Sequence, residues 1–281
     1  MVAQFSLVDL LPEIPEVNLV DIGAMLVDSG PGPYASLLRA GKARVTGFEP
    51  NSEECEKLHR TYGETHRFYP FFIGDGEDAT FHETNMAMTG SLYRPNAALL
   101  EKFQNLHELM TLKQTHAVKT HKLDDIDDLG DVDLLKIDTQ GAELDVLRGA
   151  TKALAGATLV QVEVEFLDLY EGQPLFADID TFLRGAGFRF HTFLRFSLRC
   201  FKPLLVGNDP NFGIRQLMWS DAIYVRDFLK LQALAEDKLL KLALMLHDLF
   251  QSFDFCHYVL SEVDRRNGSS LADNYLGRLK E

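Results

Sequence analysis

The sequence is short of basic residues. Its 281 residues include 28 Lys and Arg against 42 Asp and Glu, which gives a formal net charge of -14. Binding to the phosphate backbone of a nucleic acid requires clustered Lys and Arg side chains. The composition therefore argues against nucleic acid as the main partner, although a local basic pocket remains compatible with it.

Cysteine is scarce, and long apolar runs are absent. Cys55, Cys200 and Cys256 lie far apart and form no disulfide or metal-binding motif, which is typical of reduced thiols and predicts a cytoplasmic protein. No run of 18 or more uncharged apolar residues occurs, so we expect no transmembrane helix. The first basic residue is Arg39, so we expect no signal peptide.

What the sequence does contain is an alternation of apolar strand-like runs with helical patterns. The expected strands are Val17–Ile22, Arg44–Phe48, Arg67–Ile73, Val132–Ile137, Thr158–Phe166, Phe188–Phe193 and Ala222–Val225, with Ala79–Glu83 and Val118–Leu123 as inserted antiparallel strands. The expected helices are Phe5–Leu11, Tyr34–Ala40, Ser52–Tyr62, Ala97–Leu109, Ala142–Ala155 and Phe176–Ala186. Such alternation predicts an α/β fold with a mostly parallel, doubly wound sheet.

After Asp227 the pattern changes to long helices rich in Leu, Ala and Lys. We therefore divide the chain into an α/β domain at 1–227 and a C-terminal helical extension with a tail at 228–281. Leu239, Leu242, Leu246 and Leu249 form one apolar stripe, which predicts either a core face or the surface of a homodimer. The Gly268-Ser269-Ser270 sequence favours a disordered tail.

The segment from Val132 to Ala150, VDLLKIDTQGAELDVLRGA, predicts a buried strand, a tight turn and a helix. Its strand carries Lys136 and ends at Asp138. Charges on an inner strand are costly unless they face a crevice. In open α/β sheets, ligands bind in the crevice at the carboxyl ends of the strands. Both side chains are therefore candidates for a ligand site.

The first two strands bring further acids to the same edge of the sheet. Val17–Ile22 delivers Asp21 to a turn at Gly23, and the second strand ends at Glu49, about 26 residues after that glycine. A carboxylate at this place can accept hydrogen bonds from both ribose hydroxyls of a nucleoside. The pair predicts a nucleoside-containing cofactor.

The block K-I-D-x-Q-G-A-E-x-x-V-L-R-G-A, starting at Lys136, closely resembles the signature of the FkbM family of S-adenosylmethionine-dependent methyltransferases. The resemblance covers roughly residues 17 to 195 and includes D-I-G-A at 21–24, G-F-E-P at 47–50, T-G-S-L at 89–92 and K-L-D-D-I at 122–126. It implies a Rossmann-like class I methyltransferase fold with S-adenosyl-L-methionine as cofactor. The sequence departs from the family after Ala24, where a longer turn follows over residues 28–33.

The resemblance also assigns the cofactor-binding residues. Asp21, Gly23 and Ala24 would hold the methionine part, and Asp75, after the third strand, would lie near the adenine. Glu49, followed by Pro50 and Asn51, would hold the ribose.

A nicotinamide-dependent oxidoreductase shares the acidic residue after the second strand, but it also needs G-x-G-x-x-G to hold a pyrophosphate. The turn from Gly23 to Gly32 lacks that spacing, and S-adenosylmethionine has no phosphate. The methyltransferase is therefore favoured. A non-catalytic protein that keeps the cofactor fold is the other alternative.

Methyl transfer to a hydroxyl requires alignment of the acceptor and removal of its proton. Asp138 is the preferred candidate for this base, with His121 and His191 as alternatives. Three roles are open for Lys136: it holds an acceptor oxygen, lowers the pKa of the acceptor, or pairs with a neighbouring carboxylate. Glu165, nearer its strand end than Glu163, is the third catalytic candidate, whereas a structural role is favoured for Glu143.

We expect no metal site, because no HxxxH pair or Cys-His cluster occurs and the acidic run at 124–133 lacks EF-hand spacing. The loops at 89–93 and 170–176 mix aromatic, amide and hydroxyl groups, which suits a small-molecule or glycan acceptor. By resemblance, the expected reaction is O-methylation of a hydroxyl on a sugar, a glycan or a secondary metabolite.

Overall fold

The computed structural model describes residues 5–26, 32 and 34–280. Apart from Gly32, the longer turn expected over residues 28–33 lies outside the described residues. Ten strands are described: β1 (Val17–Ile22), β2 (Ala43–Phe48), β3 (Arg67–Tyr69), β4 (Phe72–Ile73), β5 (Asp78–Thr84), β6 (Leu112–His121), β7 (Leu134–Ile137), β8 (Leu159–Glu165), β9 (Phe188–Arg199) and β10 (Gln216–Arg226).

The same part of the chain forms eleven α-helices. They are α1 (Leu7–Leu10), α2 (Ala35–Arg39), α3 (Ser52–Tyr62), α4 (Ala97–Leu100), α5 (Leu106–Met110), α6 (Glu143–Arg148), α7 (Thr151–Gly156), α8 (Phe176–Gly185), α9 (Glu236–Asp248), α10 (Phe253–Asn267) and α11 (Leu271–Leu279). None of these helices combines the length and the apolar character that a membrane span needs.

Seven strands form one sheet in the order β3-β2-β1-β7-β8-β10-β9. Strand β10 is antiparallel to both neighbours, and the remaining pairs are parallel. The expected mostly parallel α/β sheet is thus confirmed.

The strand order reverses between β1 and β7, where Ile22 pairs with Ile137. This is the topological switch point at which open α/β sheets bind ligands.

A smaller sheet has the order β4-β6-β5, and its antiparallel pair β5–β6 confirms the two inserted strands. The single strand expected over Arg67–Ile73 is wrong, since β3 joins the large sheet and β4 the small one. Pro70 lies between them. A proline has no N–H to donate to a neighbouring strand, and so it ends the pairing.

The helices expected over Ala97–Leu109 and Ala142–Ala155 are each divided in two. The second break lies at Gly149, where an added Cβ would stand 2.1 Å from the carbonyl oxygen of Gly74. The carboxylate of Asp124 then accepts hydrogen bonds from the amides of Lys152 and Ala153 and begins α7. The first break lies at Asn105, whose φ of 62° is left-handed. Both breaks depend on contacts that helical periodicity does not encode.

The C-terminal helices pack against the α/β sheet. Leu239, Leu242 and Leu246 of α9 are fully buried in one apolar cluster with side chains of β1 and β2. The stripe is therefore a core face of this chain. The alternative prediction, that the stripe forms the surface of a homodimer, is wrong. The division at residue 227 stays a prediction, as does a homodimer.

The expectation of a disordered tail is wrong. Residues 271–279 form α11, which buries Ala272 and Tyr275. The hydroxyl of Tyr275 lies 2.8 Å from Nδ1 of His247 on α9. Asp264 accepts hydrogen bonds from the backbone amides of Leu271 and Ala272, so the Gly-Ser sequence is a short turn between two helices.

Candidate active site

A cavity of about 1400 Å³ opens at the carboxyl ends of β1, β2 and β7. It brings together seven of the ten residues expected in the site: Asp21, Gly23, Glu49, Pro50, Asn51, Lys136 and Asp138. Binding pockets for one small molecule usually measure roughly 300–1,000 Å³. The volume of the cavity therefore exceeds the usual range for a single small molecule.

Gly23 is required by the packing of the chain itself. Its φ is 80°, and an added Cβ would lie 1.9 Å from the backbone carbonyl oxygen of Asp138. The amides of Gly23 and Ala24 both donate to the carbonyl of Phe48. These contacts hold the ends of β1, β2 and β7 together, and any side chain at Gly23 would separate them.

Asp21 and Lys136 form an ion pair on adjacent strands. Nζ of Lys136 lies 2.8 Å from Oδ1 of Asp21, and the hydroxyl of Tyr34 donates to Oδ2 at 2.9 Å. Burial alone would lower the pKa of Lys136, but the charges of Asp21 and Asp138 raise it above its ordinary value. Of the three roles left open for Lys136, the ion pair with a neighbouring carboxylate is present in the structure.

Glu49 lines the cavity as a nearly buried carboxyl group. Its Oε1 accepts a hydrogen bond from the amide of Asn51 at 2.8 Å, while Oε2 has no partner among the described residues. Burial, with the nearby charges of Glu54 and Asp21, raises the pKa of Glu49 to about 7. The side chain of Asn51 accepts hydrogen bonds from the amides of Glu53 and Glu54 and so begins α3.

Asp138 shares one hydrogen-bond donor with Glu163, which sequence analysis had ranked below Glu165. Nε2 of Gln140 lies 2.8 Å from Oδ1 of Asp138 and 2.6 Å from Oε2 of Glu163. Gln140 has a φ of 56°, and its Oε1 accepts from the hydroxyl of Tyr170 at 3.3 Å. A left-handed residue other than glycine costs about 1–3 kcal/mol and is concentrated at functional sites.

Glu163 also belongs to a cluster with two carboxyl groups that do not line the cavity, Glu143 and Glu165. Oxygens of Glu143, Glu163 and Glu165 all lie within 4.8 Å of one another. Burial raises the pKa of each, to about 7 for Glu143. Glu143 accepts hydrogen bonds from the amides of Thr139 and Gly141, as expected for its structural role. A buried group of acids is neutralised by protons or by a cation, and the expected absence of a metal stays a prediction.

The family model of the FkbM methyltransferase domain matches residues 21–190 of the chain. The chain belongs to the FkbM methyltransferase family. It is 28% identical over 189 residues to the 2-O-methyltransferase NoeI of Sinorhizobium fredii (strain NBRC 101917 / NGR234), and the match covers 62% of this chain and 74% of that protein.

Two solved structures are similar to this family member at low sequence identity. The FkbM methyltransferase from Methylobacillus flagellatus KT has a TM-score of 0.41 and 17% identity, over 75% of this chain and 43% of that one. The magnesium protoporphyrin IX methyltransferase (ChlM) from Synechocystis PCC 6803, with bound SAM, has a TM-score of 0.37 and 12% identity, over 78% and 74%. The chain spans less than half the length of the Methylobacillus protein.

Three predicted residues of this FkbM family member do not line the cavity. Ala24 is fully buried beside Gly47. Asp75 is exposed and accepts a hydrogen bond from the amide of Glu77, which is ordinary turn chemistry. Glu165 is buried beside Glu143. His121 and His191 also lie outside the cavity lining.

Another part of the cavity lining comes from elements that sequence analysis did not connect with the site. Phe81 and His116 line the cavity from the β5–β6 pair, and Arg195 and Trp219 line it from β9 and β10. The guanidinium of Arg199 lies over the Trp219 ring, 5.1 Å from its centroid. This contact fixes the indole beside the cavity.

Proposed function

We propose that this chain transfers a methyl group from S-adenosylmethionine to a hydroxyl oxygen of a sugar, a glycan or a secondary metabolite. The observation that carries the proposal is one cavity at the switch point, lined by both Glu49 and Asp138 and larger than the usual pocket for a single small molecule. Membership of the FkbM family supports methyl transfer. The 2-O-methyltransferase activity in the name of NoeI supports oxygen as the methylated atom.

The cofactor half of the cavity is formed by Asp21, Gly23 and Glu49. Oε2 of Glu49 is the oxygen that lacks a partner among the described residues, so the carboxylate can accept hydrogen bonds from ribose hydroxyls. Asp21 is held in place by Lys136 and Tyr34 and would orient the methionine end. When bound, S-adenosylmethionine supplies the activated methyl group.

The acceptor half of the cavity contains the proposed base. Asp138 would accept the proton of the acceptor hydroxyl, and Gln140 orients it by donating to Oδ1. Burial and the charge of Asp138 raise the pKa of Glu163 well above its ordinary value, which favours the protonated form of Glu163 beside Asp138. In this arrangement Lys136 and Glu165 are positioning residues. Lys136 acts through Asp21, and Glu165 acts through the carboxyl groups of Glu143 and Glu163.

The cavity lining from β5, β6, β9 and β10 favours an acceptor with several hydroxyl groups. Trp219 and Phe81 offer flat apolar surfaces, while Arg195 and His116 offer hydrogen-bonding groups. This mixture suits a sugar ring, which has apolar faces and polar edges. The three cysteines are buried and free, which supports a reducing compartment such as the cytoplasm.

The proposal is tested by incubating the protein with methyl-labelled S-adenosylmethionine and a panel of sugars, glycans and hydroxylated metabolites. Mass spectrometry should detect label on an oxygen of an acceptor, and nuclear magnetic resonance should locate it. Cofactor binding with no transfer to any member of the panel would favour a non-catalytic binding protein. Tighter binding of NAD than of S-adenosylmethionine would favour an oxidoreductase.

A further inference from the structure

One segment of the surface is unusually apolar. Seven of the fourteen large hydrophobic side chains that the described residues expose lie between residues 194 and 214. Five of these side chains leave about half of their surface in water: Phe196, Phe201, Leu204, Phe212 and Ile214. Single exposed apolar residues are ordinary, but a concentration of this kind marks an interaction site. We call residues 194–215 the hairpin surface, since they connect and flank the ends of β9 and β10.

The hairpin surface is held in a defined shape. Nη1 of Arg199 donates to the carbonyl of Asn211, and Nε2 of Gln104 donates to the carbonyl of Leu204. An added Cβ at Gly213 would stand 2.3 Å from the backbone nitrogen of Arg199, so the returning chain packs directly on β9. The apolar side chains therefore project from an anchored backbone, and their exposure is a property of the folded protein.

The charge of the hairpin surface is opposite to that of the molecule. It contains Arg195, Arg199, Lys202 and Arg215 against the single acid Asp209, whereas the whole chain carries a net charge of -14. Lys202 pairs with Glu108 at 3.0 Å, whereas Arg195 and Arg215 form no ion pair with the described residues. Apolar side chains mixed with cations match the interface of an anionic lipid bilayer, where the apolar groups enter the acyl region and the cations meet phosphate.

The hairpin surface is continuous with the mouth of the cavity. Leu194, Arg195 and Ser197 belong to its β9 part and also line the cavity. We propose that residues 194–215 dock this protein on an anionic phospholipid membrane, with the cavity opening beside the lipid surface. The local charge of the hairpin surface, four cations against one acid, complements an anionic lipid surface, whereas a second copy of the same basic surface would bring like charges together.

The test is co-sedimentation of the full-length protein with vesicles of phosphatidylcholine alone or of phosphatidylcholine rich in phosphatidylserine. We expect binding to the phosphatidylserine-rich vesicles that weakens as salt is raised. The double variant Phe212→Ser/Ile214→Ser should bind at least about tenfold more weakly, because it removes two apolar anchors. Arg215→Gln should bind about fivefold more weakly, because it removes one cation.

The matched control is Leu229→Ser, which removes an apolar side chain that is 63% exposed outside the hairpin surface. It should bind vesicles like the unaltered protein. Circular dichroism should show that all variants stay folded, since each altered side chain is exposed. The proposal would be overturned if the protein bound both kinds of vesicle equally or bound neither. It would also be overturned if Leu229→Ser lost as much vesicle binding as the variants of the hairpin surface. A concentration-dependent dimer abolished by Phe212→Ser/Ile214→Ser would identify a second copy as the occupant instead.

Discussion

At the scale of single residues, the site is built from charged groups that the fold holds close together. Asp21 has its two partners, Lys136 and Tyr34, within the protein. Among the residues that the structure describes, Glu49 has a hydrogen-bond donor, the amide of Asn51, on one oxygen only. A carboxyl group that is buried and half-satisfied has a raised pKa, and a ligand that donates to it lowers that pKa again.

This gives a prediction for the pH dependence of cofactor binding. The ionised form of Glu49 is the one that accepts ribose hydroxyls, and its pKa is about 7 before the ligand binds. Affinity for S-adenosylmethionine should therefore weaken as the pH falls below about 7, by up to about tenfold per pH unit. Calorimetry between about pH 5.5 and pH 8 measures this slope.

The variant Glu49→Gln is the control, because it keeps the shape of the side chain without the titration. It should bind more weakly by roughly 1.5–3 kcal/mol above neutral pH and should lose the slope. A slope that persists in Glu49→Gln would assign the titration to another group.

The carboxyl groups at the strand ends could be predicted from sequence, because a strand fixes where its last side chain emerges. Asp21, Glu49 and Asp138 were found in this way. Gln140 was missed because its bridge to Glu163 depends on a left-handed turn and on the neighbouring strand. Asp75, which was predicted from its position in a motif, does not line the cavity, because a motif position does not decide where a side chain points.

At the scale of elements, the C-terminal helices are tied to the sheet by a buried ion cluster. Asp133, just before β7, is fully buried and accepts from Lys238 at 2.7 Å and from Lys241 at 3.0 Å. Both lysines lie on α9. Sequence analysis treated Asp133 only as a member of the acidic run at 124–133, because its distant partners could not be read from the local pattern.

Asp133→Asn should destabilise the fold by about 3–5 kcal/mol, since it leaves the buried ammonium group of Lys241 without its counter-charge and leaves Lys238 with Asp131 alone. Asp131→Asn is the matched control, because Asp131 also contacts Lys238, at 2.9 Å, but its side chain is 63% exposed. The control should cost no more than about 1 kcal/mol. Urea unfolding of both variants makes the comparison, and equal effects would show that burial of the cluster is unimportant.

At the scale of the whole molecule, the helical extension completes the core of the α/β sheet. The cluster that contains Leu239 and Leu242 also contains Val17 and Val45. A chain that ends at Asp227 should therefore expose this apolar face and aggregate or unfold. Light scattering and circular dichroism of the shortened chain measure the outcome, and a stable monomer would show that residues 228–281 are dispensable.

The buried acids also set how stability changes with pH. The folded-state pKa of Glu49 is about 7, above the value near 4.3 expected for an unfolded chain. A raised pKa gives stability that is present at low pH and is lost as the pH rises through about 7. His66 and His191, whose pKa values burial lowers, act in the opposite direction.

Comparison with Glu49→Gln separates these contributions. The stability of this variant relative to the unaltered protein should increase by roughly 2 kcal/mol between about pH 5.5 and pH 8. Urea unfolding at both pH values measures the difference. A difference that does not change with pH would mean that Glu49 is ionised without cost in the folded protein.

The most direct test of methyl transfer at this cavity is to compare cofactor binding and turnover in Asp138→Asn. The substitution keeps the size of the side chain and removes the proposed base. We predict near-native folding, an affinity for S-adenosylmethionine lowered by no more than about tenfold, and methyl transfer slowed by about 10²-fold or more. The control is Asp75→Asn, since Asp75 is an exposed acid outside the cavity. This variant should leave both the affinity for S-adenosylmethionine and the rate of methyl transfer unchanged. Normal turnover by Asp138→Asn on the true acceptor would contradict the account.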